Sequence, residues 1–186
     1  MGSPFSCPFL CLMTNPESNS HFIETALPEL ETYLLSETLY WPLGGSLPRL
    51  TPGALLLALR QAEALNPPAA RKWRQQLDLI SAKRRTAWEQ KARSELVNRL
   101  RLWGESVAEW QPAASERRAD YSGQVRSRVI LQLLLHEVNA PAQQAVLDGL
   151  DAFLRASLKP APFLWDAQLA EAFPKDEFWF LYGKLN

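Results

Sequence analysis

The chain is poor in the side chains that hold metals. Its two cysteines, Cys7 and Cys11, stand four residues apart near one end, and His21 and His136 are its two histidines. A structural zinc site takes four such ligands at short spacings, so no metal is expected. Long apolar runs are also missing. The longest, 54–59 and 129–135, fall far short of the roughly 20 residues that cross a bilayer as a helix, and no membrane span is expected. Formal net charge is zero, which sets aside a chain basic or acidic throughout.

Linear catalytic signatures are absent as well. No Gly-x-Ser-x-Gly occurs, and neither cysteine lies in a segment that would hold it beside a histidine and an acid. The paired Gly44 and Gly45 follow no strand and lead to no Gly-Lys-Ser/Thr, so they are not a phosphate loop. His136 and Glu137 are adjacent, but no second histidine follows at the zinc-protease spacing, and the Glu-x-x-His pairs of a di-iron bundle are missing. Asp148, Asp151, Asp166, Asp176 and Glu177 gather late in the chain, as carboxylates on helix surfaces commonly do. No catalytic residue, cofactor or metal ligand is therefore assigned. An enzyme built from an inter-helix pocket, with no linear signature, stays as a further alternative.

Residues 1–12 lack a basic lead-in, a long apolar stretch and a small-residue cleavage site, so a cytoplasmic protein is expected. Met13 would serve as a natural start. Residues 1–19 are expected to stand outside the fold as a disordered or misassigned-start segment, with 20–186 forming one helical domain.

What the chain does have is tryptophan, seven in all, and helical spacing. Trp73, Leu77, Trp88, Ala92, Leu96, Leu100, Trp103, Val107 and Trp110 recur mostly at three- and four-residue steps, placing them along one side of a helix. Strong helix formers fill 69–103 without Gly or Pro, which predicts one long helix over about 68–110, bent near Ser81 or Gly104. The stripe drifts instead of keeping a heptad seam, so the helix should meet several neighbours rather than one coiled-coil partner. Lys91, Glu95 and Arg99, four apart, read as a ladder of surface ion pairs.

Other helices follow from punctuation. His21 opens one that Pro28 should divide into a lead-in and a main segment. A turn-rich connector spans 41–50, and Thr51 with Pro52 caps the next helix, which Asn66, Pro67 and Pro68 end. So short a break predicts an antiparallel hairpin. Pro112 ends the long helix, Ser115 is placed to cap its successor, and 121–139 should pack beside the long helix. Pro141 opens a further helix, stopped by Pro160 and Pro162. Asp166 to Phe173 and the stretch from Pro174 to Gly183 read as two short helices.

The expectation is an all-α, single-domain irregular bundle of about six or seven helices around one long central helix. Charge is uneven: one Arg against five Glu over 1–50, then fifteen Lys and Arg against eight Asp and Glu over 60–128. A non-enzymatic module binding another protein or itself fits best, with nucleic acid as a less favoured partner whose phosphates the basic helix 71–101 would meet. The candidate partner or phosphate surface is Lys72, Lys83, Arg84, Arg85, Arg93 and Arg101. The aromatic segment 163–186 is expected to close the bottom of the core; the alternative is a docking face made of Trp165, Phe178, Trp179 and Tyr182.

Overall fold

The computed structural model describes residues 16–110 and 121–185. Within them lie six α-helices: α1 (Pro16–Leu35), α2 (Pro52–Leu65), α3 (Pro67–Lys83), α4 (Arg85–Glu109), α5 (Tyr121–Glu137) and α6 (Pro141–Ser157). The all-α class read from spacing and capping is what the chain adopts. Helix α1 begins at Pro16, ahead of the expected boundary, because Asn19 is buried and its Nδ2 donates to the Ala58 carbonyl at 2.8 Å. Pro28 does not divide α1. It lies on the exposed side, where its missing N–H leaves a carbonyl that water can reach. The expected cap at Ser115 lies outside the described residues.

The middle of the bundle belongs to α2. Every residue from Thr51 to Leu59 is buried, since a helix apolar on all sides is at rest only when surrounded. It packs against α1, α3, α4, α5 and a 3-10 turn of the C-terminal segment. The expected helix over 68–110 is two helices, broken at Arg84, where φ is −118° and ψ is 38°. Neither Ser81 nor Gly104 carries the bend. Lys83 and Arg84 both bind Glu31 of α1, and that contact holds the chain where it changes direction. The tryptophan stripe itself faces inward: Trp73, Trp88 and Trp103 are buried and Trp110 is half-buried, edge-on to Trp103 and Tyr121.

Helix α5 packs along α4, and α6 covers another side of α4. The chain then forms a small ribbon that the sequence reading did not anticipate. Strand β1 (Leu158–Pro160) pairs antiparallel with β2 (Gly183–Leu185), Leu158 opposite Leu185 and Pro160 opposite Gly183. Between them the two expected helices are 3-10 turns, Ala167–Ala172 and Trp179–Tyr182, kept short by Pro174 and by rings that must turn inward. Phe173, Phe178 and Phe180 are fully buried, and the Tyr121 hydroxyl donates to the Phe180 carbonyl at 2.7 Å. No helix among the described residues is long and apolar enough to cross a membrane.

Candidate docking surface around Trp41

The basic stripe is largely occupied by partners within the chain. Lys83 and Arg84 bind Glu31, Arg85 binds Glu89, and Arg101 binds Glu105. Arg93 donates to the Asn139 carbonyl at 2.7 Å. Lys72, exposed on α3, makes no such bond with the described residues. The aromatic candidates divide differently. Phe178 is 0% exposed, whereas Trp165, Trp179 and Tyr182 are half-buried. Trp165 packs edge-on against Phe173, the Arg155 guanidinium lies 3.8 Å from the Trp179 ring centre, and the Tyr182 hydroxyl donates to the Phe173 carbonyl. These side chains mainly close the core.

The ladder of Lys91, Glu95 and Arg99 is not on the surface. Glu95 is 0% exposed and Lys91 is buried, because the start of α2 and the end of α1 press against that side of α4. One Glu95 oxygen accepts from the Thr51 hydroxyl and from Arg99 Nε, both at 2.7 Å, and the other accepts from the Gly53 N–H at 2.7 Å. A carboxylate at a helix N-terminus satisfies amides that have no partner within their own helix and faces the positive end of the helix dipole. The bonds from Thr51 and Gly53 fasten α4 to the start of α2, while the bond from Arg99 lies within α4. Burial, and then the neighbouring Arg99, hold Arg126 of α5 below the usual arginine range.

Lys91 shows what the other end of this arrangement is for. Its ammonium donates to the carbonyls of Ser36 and Thr38, at 2.8 and 2.6 Å, and lies over the Tyr33 ring. Burial pushes its pKa below the ordinary lysine value. The next residues of the connector are fastened one after another. The Tyr33 hydroxyl donates to the Leu39 carbonyl at 3.0 Å, and Asn98 Nδ2 donates to the Tyr40 hydroxyl. Trp41 exchanges two backbone hydrogen bonds with Leu50, at 3.1 and 2.8 Å, closing the loop whose tip turns at Gly44 and Gly45, both with positive φ. Five points of attachment within six residues present Trp41 on a fixed frame, edge-on to Tyr33.

Trp41 stands between two open cavities. On one side Pro28, Glu31, Thr32, Leu35 and Ser36 join it to line about 660 Å³. On the other, Thr25, Glu29, Thr38, Pro42, Leu43 and Gly44 line about 610 Å³ with it. Thr25, Pro28, Glu29, Thr32 and Leu35 share one face of α1, with Ser36 just past its end, and Leu35 is 63% exposed. The sequence reading passed over this region, taking 41–50 as a connector. The available signal was a tryptophan among prolines and glycines, beside a helix that spends a leucine on solvent. No group of three or more histidine, cysteine or acidic side chains placed to hold a metal ion occurs among the described residues. Compared with protein-family models, with curated proteins and with solved structures, the chain finds no match.

Proposed function

We propose that the chain is a non-enzymatic helical interaction module that binds another protein through the surface around Trp41. The observation that carries this reading is the frame: Lys91, Tyr33, Asn98 and Leu50 together fix a half-exposed tryptophan between two open cavities. An aromatic anchor held rigid loses little conformational entropy on binding, and tryptophan is among the residues that dominate interface energetics. The exposed Leu35 and half-buried Leu43 supply apolar area on its two sides.

The charged stripe on α3 and α4 lends less to a nucleic-acid reading, because most of its cations already bind carboxylates or a carbonyl. Photo-crosslinking tests the module directly. A benzophenone side chain at position 35 is expected to give a discrete protein adduct in the native lysate, weakened when Trp41→Ala is added. Adducts no stronger than those from a benzophenone at exposed position 171 would remove the proposal.

A further inference from the structure

The two cavities differ in chemistry, and that difference points to the kind of segment they take. In the first, the one ionisable group is Glu31, already bound to Lys83 and Arg84, while Pro28 and Leu35 supply apolar wall. In the second, the one ionisable group is Glu29, which is exposed and makes no hydrogen bond or ion pair with the described residues. Trp41 borders both. Its segment is acidic beyond this site: Glu17, Glu24, Glu29, Glu31 and Glu37 stand against Arg49 over residues 16–50, and Arg49 lines neither cavity.

Resting on the module reading above, we infer that the surface receives an arginine-bearing segment of a partner protein, with a large apolar residue beside the arginine. The apolar side chain seats against Leu35, Pro28 and one edge of Trp41. The guanidinium enters the second cavity, where it pairs with the Glu29 carboxylate and stacks on the Trp41 ring. Arginine suits this place better than lysine, because a planar cation meets a carboxylate and an aromatic face together with little loss of hydration. An acidic segment would instead set like charge against Glu29 with no free cation in either lining to relieve it.

The test is selection from a phage-displayed library of random dodecapeptides on the full chain, followed by calorimetry with the enriched peptide made synthetically. Enriched sequences are expected to carry arginine next to Leu, Phe or Trp. Replacing that arginine by glutamine, or Glu29→Gln in the protein, should weaken binding about fivefold to tenfold, the two changes together costing little more than either alone. Trp41→Ala should abolish it. Glu171→Gln, on the C-terminal segment, should leave it unchanged, and circular dichroism checks that each variant is folded. Peptides that depend on Trp41 but lack arginine, or bind Glu29→Gln as tightly as the parent, overturn the arginine inference while the module reading stands. Failure to enrich any Trp41-dependent peptide overturns the inference, and the crosslinking experiment then decides the module reading separately.

Discussion

Gly53 and Glu95 show how little room the centre of this protein leaves. A Cβ at position 53 would lie 2.3 Å from Ile130 Cγ2 and 2.9 Å from a Glu95 oxygen, so the start of α2 reaches α4 and α5 only because that residue has no side chain. Gly53→Ala should destabilise the fold by about 1–3 kcal/mol through overpacking, read as a lowered urea midpoint. Adding Ile130→Ala, which removes the clashing methyl, should cost less in the Gly53→Ala background than in the parent, so the two changes fall short of additive. Glu95→Ala should be worse, about 3–5 kcal/mol, because it strands the Thr51 hydroxyl, the Gly53 N–H and a partly buried guanidinium together. At this scale the sequence was only half legible. Spacing placed Lys91, Glu95 and Arg99 as neighbours on one helix, and Glu95 does hold Arg99. It could not show what faced them, since that depends on α1 and α2 arriving from elsewhere in the chain. The glycine just after a Thr-Pro cap, where a helix former would be expected, was the local sign of a close approach.

Elements were more legible than contacts. Capping residues, prolines and three- and four-residue apolar steps located the α-helices, because those signals act within a few residues of the chain. The break at Arg84 has no such local cause, and nothing in 69–103 interrupts helix propensity. It lies where Lys83 and Arg84 converge on Glu31, a partner more than fifty residues away. That contact also makes a pH prediction. Lys83 first, and then Arg84, hold the Glu31 carboxyl below its ordinary value of 4.5. A carboxylate depressed in the folded state contributes stability that is complete above the unfolded value and is lost as pH falls through the folded one. Thermal melts should therefore show Glu31→Gln and parent converging as pH drops below about 4.5, with the gap at neutral pH modest and reduced by salt, since the pair is partly exposed.

On the scale of the whole molecule, the C-terminal segment decides whether the bundle is closed. Its fully buried Phe173, Phe178 and Phe180 are part of the core, not a layer on it. Arg128 of α5 clamps it in a second way: the guanidinium holds Asp151 of α6 through two bonds, at 2.9 and 2.7 Å, and lies 4.3 Å from the Phe180 ring centre. Arg60 of α2 reaches the Ala172 carbonyl, and β2 returns to pair with β1. The aromatic density of 163–186 already favoured a segment that closes the core; which of its rings are fully buried, Phe173, Phe178 and Phe180, depended on where α2 and α5 stood. Ending the chain after residue 160 should therefore strip one side of α2 and leave Arg128 and Asp151 without their aromatic cover. The expected result is a collapsed state that keeps its far-ultraviolet helix signal but loses the near-ultraviolet tryptophan signal and binds a hydrophobic dye. Aspartate 151 gives an independent check without truncation: Asp151→Ala leaves a buried guanidinium short of its partner and should cost about 3–5 kcal/mol in chemical denaturation. A truncated chain with native near-ultraviolet bands and a sharp melt would mean instead that α1 to α6 close a core of their own, and that the aromatic segment is an addition to it.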